Sequence, residues 1–385
     1  MEEEMTFRLI HSVDKWLPVT QRWIWEQYRN LPFSNQIIFA EEVLPISPPA
    51  SEIRVKPDES NDLLSRLSRK FRNPKPWRQA ELDKIGTPVV LFSHFGNRGW
   101  SDLKLKADLH ITRFYGYDLK RIIQQDGRWE ERYHRLFKQC DAFIAEGNAM
   151  AARLREMGCS QKKIYVIPLG TSQPEKTIIR NYEGGKVEIL IASGFTEKKG
   201  IVYALQALGE LKQEGRLKNF TINLVGAERQ DYLPDREYWN RMQTTIREFV
   251  LEGNTIFHGY LEFDQLRALA LQCHFGMHTS VSAADGDTEG GSPVVLMDLM
   301  AGGLPFITSR HADIPEVVTD PCGILCEERD VEEIKRAVLE MLEPDVLSRK
   351  SAAAIDRMAA HFFWNDIGPK QAQLINALWA QKFGQ

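Results

Sequence analysis

The sequence predicts an α/β protein of two doubly wound, Rossmann-like domains facing each other across a cleft. Its 385 residues exceed one ordinary core and suit two domains of about 150–200 residues each. Short runs rich in apolar and β-branched residues alternate with segments whose apolar residues recur at helical spacing, the mark of parallel sheets covered by helices.

The second half is the more regular. Val187–Ala192, Thr221–Val225, Thr255–His258, Phe275–Thr279, Pro305–Thr308 and Gly323–Cys326 are expected strands, short and often bounded by Gly or Pro. Ile201–Glu214, Tyr238–Leu251, Phe263–Gln272 and Val331–Met341 are the expected helices between them. In the first half the expected strands are Phe7–His11, Gln36–Phe39, Pro88–Phe92, Leu109–Phe114, Ala142–Ala145 and Lys163–Ile167. The linker is expected at Gly170–Pro174, which gives domains of 1–170 and 171–365 and a last helical segment, 366–385, expected to pack back on the first domain. Open parallel sheets take ligands beyond the carboxyl ends of their strands, so each domain offers one pocket.

Composition narrows the class. The chain is 43% hydrophobic and 26% charged, with a net charge of −4, so no basic field draws it to nucleic acid. The acidic start, Met1-Glu2-Glu3-Glu4-Met5, lacks the apolar core of a signal peptide, and no run of about 18 uncharged apolar residues occurs. Five cysteines, mostly in apolar runs, read as buried thiols of a reducing compartment. The expected location is cytoplasmic. No G-x-G-x-x-G and no G-x-x-x-x-G-K-[ST] is present, which removes nicotinamide oxidoreductases and P-loop enzymes.

The most informative segment runs from Ala284 to Pro305, ADGDTEGGSPVVLMDLMAGGLP. Ser292 is a good N-cap and Pro293 suits the first helical position, where its missing N–H would be unpaired anyway. Gly290 and Gly291 let the backbone come close to a ligand, and a helix N-terminus favours an anion such as a diphosphate. Glu289 precedes this helix and Asp298 lies inside it, five residues beyond Pro293 or about 8 Å along the axis. Two carboxylates so placed suit the hydroxyls at either end of a nucleotide sugar. Asp285-Gly286-Asp287 has the form of a D-x-D metal motif, but as part of this loop it is read as polar lining, with no metal expected.

This segment resembles the acidic E-x7-E region of the family-4 (group 1) retaining glycosyltransferases, which have the GT-B fold. The resemblance assigns Glu289 to the hydroxyls of the donor sugar and Asp298 to the ribose, with one additional residue between them and Asp in place of the second Glu. Ala192–Gly200 resembles the first βα loop of the same domain. There Lys199 matches the lysine that neutralises the leaving diphosphate, while Gly194 stands where the family has an arginine. Gly303-Leu304-Pro305 and Asp313–Val318 also resemble the run after the acidic helix. In the first half Ser93-His94-Phe95-Gly96 and Phe114-Tyr115-Gly116-Tyr117-Asp118 are similar to the family's His-Phe-Gly and Phe-His-Gly-Tyr-Asp elements, with Tyr115 in place of a site histidine.

The resemblance implies a transferase that moves a sugar, with retention, from a nucleoside-diphosphate sugar to a glycan, lipid-linked or small-molecule acceptor. A UDP-sugar is favoured over a GDP-sugar, and no cofactor is expected. Lys199, Glu289 and the amides of the Gly290–Pro293 segment would stabilise the departing charge and orient the sugar. His94, Tyr115, Tyr117 and Asp118 would meet the acceptor. Arg66–Arg78, basic with Phe71 and Trp77 interleaved, reads equally as a contact with the anionic inner face of a membrane or as a solvated helix face. The rival readings are a GT-B nucleotide-sugar epimerase and a non-catalytic sugar-binding or scaffold protein.

Overall fold

The computed structural model describes residues 7–16, 22–44, 50, 52–57, 76–227, 233–291 and 293–384. Ser292 and all of the basic run up to residue 75 lie outside them. The chain forms two compact units. The first comprises Met1–Ala145, Ala151–Ile167 and Gly368–Gln385, and the second Glu146–Met150 and Pro168–Ile367. The partition thus differs from a single cut at residue 170, because residues 146–150 group with the second unit.

In the first unit seven parallel strands stand in the order β3-β2-β1-β4-β5-β6-β7. They are β1 Arg8–Trp16, β2 Gln36–Val43, β3 Ile53–Val55, β4 Val89–His94, β5 Leu109–Arg113, β6 Ala142–Ala145 and β7 Ile164–Val166. Successive residues of β2 enter different clusters: Ile37 and Phe39 join Leu82, Leu91 and Leu105, while Ile38 and Ala40 join Val13, Trp16 and Ile24. Both faces of the sheet are therefore covered, as a parallel sheet requires. The three-residue edge strand β3, half-buried at Ile53 and Arg54, has too little apolar pattern to be read in the sequence.

The second unit has six parallel strands in the order β10-β9-β8-β11-β12-β13. They are β8 Val187–Ala192, β9 Phe220–Val225, β10 Thr255–Gly259, β11 Phe275–His278, β12 Phe306–Ser309 and β13 Gly323–Cys326. Ile189, Ile191, Leu224 and Met277 pack against Leu205, Leu208 and Leu211 of helix Ile201–Gln213, and against Tyr238, Met242 and Val338 of neighbouring helices. The helix Val346–His361 was not expected; its run of alanines and charges carries little apolar periodicity.

In each sheet the strand order reverses once, between β1 and β4 and between β8 and β11. Those two points are where an open parallel sheet presents a crevice at its carboxyl edge.

Candidate functional site

In the second unit the loops after β8 and β11 meet at the reversal point. Glu197–Lys199 forms a short 3-10 turn that ends at Gly200, whose φ is +63°. A Cβ on Gly200 would lie 1.7 Å from the carbonyl oxygen of Thr279, the residue after β11, so only glycine permits this approach. Two hydrogen bonds fasten the contact: Thr279 Oγ1 donates to the Gly200 carbonyl at 2.9 Å, and the Val281 N–H donates to the Lys198 carbonyl at 2.8 Å.

This stitching delivers both lysines to the acidic loop. Lys199 Nζ lies 2.6 Å from Glu289 Oε1, and Lys198 Nζ lies 3.3 Å from both Asp287 Oδ1 and the Thr288 carbonyl. Ser280 Oγ donates to Glu289 Oε1 at 3.0 Å. Glu289 is only 8% exposed. Burial alone would raise its pKa, yet the charges of Lys199 and Lys198 and the nearby His278 hold the carboxyl well below the usual carboxylate range. His278 ends β11, fully buried, with Nε2 3.5 Å from Glu289 Oε1; burial lowers its pKa and keeps it neutral.

The rest of the loop is internally bonded. Gly286, with φ of +76°, turns the chain so that Asp285 Oδ1 accepts from the Asp287 N–H and Asp287 Oδ1 from the Thr288 N–H. The D-x-D segment is thus a tight turn whose carboxylates serve backbone amides and Lys198. Among the described residues no group of three or more His, Cys, Asp or Glu is placed to hold a metal ion.

The other residues expected to meet the donor stand in different surroundings, and the helix start shifts by one residue. The helix runs from Val294 to Ala301, so Pro293 precedes it as the capping residue and contributes no amide. Gly291 makes room for the protein itself, since a Cβ there would lie 1.8 Å from Glu146 Oε2. Gly290 is half-buried. Asp298 accepts from Thr171 Oγ1 at 2.5 Å and borders a cavity of about 420 Å³ with Asp264, Arg267 and Lys176, a different set of neighbours from those of Glu289. Gly194 is exposed, and a Cβ there would meet no atom within 4 Å.

In the first unit, at the ends of β4 and β5, His94, Tyr115 and Asp118 are close together. Asp118 is fully buried; its Oδ2 accepts from the Gly96 N–H at 2.6 Å and its Oδ1 from the Tyr115 N–H at 3.1 Å. Burial pushes its pKa up to about 6 against those backbone bonds. It shapes the loop and is not presented to a ligand. His94 is likewise fully buried, between His11 Nδ1 at 3.0 Å and the Tyr115 hydroxyl at 2.5 Å. Burial lowers both histidines, His11 to about 4, so both are neutral near pH 7.

The direction of this chain follows from its far end. Gln36 Nε2 donates to the carbonyls of Tyr28 and Phe33, which leaves Gln36 Oε1 to accept from His11 Nε2 at 2.9 Å. His11 Nδ1 then accepts from His94 Nε2, and His94 Nδ1 accepts from the Tyr115 hydroxyl. Tyr115 is half-buried and Tyr117 is 44% exposed, so of the four expected acceptor residues these two have accessible side chains. Phe95, between β4 and the helix Gly96–Asp102, has φ of +74°, a strained value for a residue with a side chain, and its ring lies 4.7 Å from that of Tyr115.

Replacing Gly200 by Ala should cost more than about 1 kcal/mol of stability, because φ is left-handed and the Thr279 carbonyl blocks the Cβ. Gly194→Ala, with open space, should leave stability near that of the parent. Urea unfolding of the two variants checks this; equal midpoints would show that the turn does not depend on the close approach.

Comparison with known proteins agrees with this architecture. Residues 186–344 match the family model of glycosyl transferases group 1. The chain is 28% identical over 315 residues to the colanic acid biosynthesis glycosyltransferase WcaL of Escherichia coli, covering 77% of this chain and 73% of that protein. Among solved structures it is similar to sucrose-phosphate synthase from Thermosynechococcus elongatus, with a TM-score of 0.74, 17% identity, and coverage of 97% and 100%. It is also similar to Anabaena HepE solved with UDP and glucose, with a TM-score of 0.67, 13% identity, and coverage of 96% and 99%. With two parallel-sheet units, the chain has the GT-B fold, and its residues 186–344 are a segment of the group 1 glycosyl transferase type.

Proposed function

We propose that this glycosyltransferase moves a sugar, with retention of anomeric configuration, from a nucleoside-diphosphate sugar to a glycan or lipid-linked acceptor. The Lys199–Glu289 pair, 2.6 Å apart at the strand-order reversal of the second unit, carries this reading. A diphosphate presents to Lys199 a stronger partner than one carboxylate. Once Lys199 turns to it, Glu289 is released to accept from the hydroxyls of the attached sugar.

In the transfer the bond from the anomeric carbon to the phosphate oxygen breaks, and the acceptor oxygen bonds that carbon on the same face. The acceptor's proton passes to the leaving phosphate oxygen, so no protein base is required. Charge growing on the diphosphate is stabilised by Lys199 and the first-turn amides of Val294 and Val295. UDP as the nucleotide is supported by the UDP complex of the similar HepE. The WcaL name supports an acceptor of the polysaccharide-building kind. Tyr115 and Tyr117 are the residues proposed to meet that acceptor, Tyr115 through its hydroxyl oxygen, whose proton is committed to His94.

Lys199→Ala is expected to lower the transfer rate by about 10²–10³, the scale of one preorganised electrostatic contact. Tyr115→Phe should be much milder, because it removes an acceptor of hydrogen bonds and no base. Initial rates with one common donor decide it: a Tyr115→Phe enzyme as inactive as Lys199→Ala would mean that the phenol carries chemistry.

Metal independence is proposed on the same ground, since Lys198 and backbone amides occupy the Asp285 and Asp287 carboxylates. Excess chelator should leave the initial rate unchanged. Loss restored by magnesium or manganese would turn those two acids into ligands.

A further inference from the structure

His311 follows β12 and is buried beneath the acidic loop. Its Nδ1 lies 2.5 Å from Glu328 Oε1, on the loop after β13. Its Nε2 lies 2.6 Å from Thr288 Oγ1 and 3.2 Å from the backbone nitrogen of Glu289. The Glu289 N–H is a fixed donor, so Nε2 must offer its lone pair and the ring proton must be on Nδ1, facing Glu328. The second oxygen of Glu328 accepts from the Ser282 N–H at 2.9 Å. One His–Glu pair therefore grips the loop at both ends, at Ser282 and at Thr288–Glu289.

A Thr–His–Glu row also has the outline of an activated hydroxyl. Here, however, the same ring nitrogen is already engaged by the Glu289 amide. A lone pair shared by two donors serves as a holding point for the loop.

We propose that His311, oriented by Glu328, is a positioning residue that fixes the backbone of Glu289 and thereby aims its carboxylate at the donor sugar. The proposal rests on the reading of Glu289 as the acid that orients that sugar. Its action is on the sugar half of the donor, because Lys199, which would take the diphosphate, is anchored separately through Gly200 and Thr279.

The distinguishing measurement is calorimetric affinity for UDP-glucose and for UDP, with GDP-mannose and GDP run alongside. His311→Ala should weaken binding of the sugar nucleotide by about tenfold, the scale of one lost hydrogen bond with its buried partner. Affinity for the free diphosphate should be unchanged or raised. His311→Gln places an acceptor near the position of Nε2 and should restore most of the difference, while Thr288→Val should leave it intact. If His311→Ala does not fold, Glu328→Gln, which removes only the charge facing the Nδ1 proton, must show the same selective loss.

Equal loss of both ligands, or of neither, in these variants would overturn the inference alone. A Thr288→Val protein as impaired as His311→Ala would also overturn it, in favour of the hydroxyl. A parent protein that binds none of the four ligands would overturn the donor reading and this inference with it.

Discussion

The partly buried pairing of Lys199 with Glu289 is the interaction on which the second unit's site depends. Removing two charges from water costs several kcal/mol each, and the pair is tolerated only because each partner compensates the other. The backbone is built to enforce that meeting. Gly200 permits an approach that no other residue fits, Thr279 and Val281 fasten it, and Lys198 repeats the arrangement one residue earlier with Asp287. On the proposed reading, a site assembled in this way exchanges one partner of the pair for a ligand. A diphosphate is a natural replacement for the carboxylate, and sugar hydroxyls are a natural replacement for the ammonium.

The first unit solves a different problem at its own strand-order reversal. Neutral His11 and His94 pass a hydrogen-bond direction from Gln36 to Tyr115, and Asp118 ties Gly96 to the Tyr115 loop through backbone N–H groups. The polar groups are satisfied by one another, which is what burial at the end of a parallel sheet demands. The effect is that one aromatic hydroxyl is held with known polarity beside the strained Phe95. Of the four residues expected to meet an acceptor, His94 and Asp118 belong to the frame that holds it.

Much of this was legible beforehand, and the reasons for the exceptions are physical. Twelve of the strands announce themselves through apolar runs between turn residues, while β3 is three residues at a sheet edge and carries no such signal. Glu289 and Lys199 were readable because the glycines, the helix start and the lysine turn surround them in sequence. His94 and Asp118, expected to meet an acceptor, are fully buried among partners that the sequence motif does not show, while Asp298 is half-buried beside a cavity. His311 and Glu328 carry no local motif, because their meaning is a contact between loops after different strands. The available signal was positional: both follow neighbouring strands, β12 and β13, at the same carboxyl edge as the acidic loop.

The exchange of partners at Lys199 is the central claim, and a double-mutant cycle on free UDP affinity tests it most directly. Glu289→Gln removes the carboxylate that competes with the diphosphate for Lys199 while keeping its shape. Alone it should tighten UDP binding, and on a Lys199→Met background it should have no effect, so the two changes are strongly coupled. If Glu289→Gln weakens UDP binding equally in both backgrounds, Lys199 does not pass from the carboxylate to the diphosphate, and this account of the site is wrong.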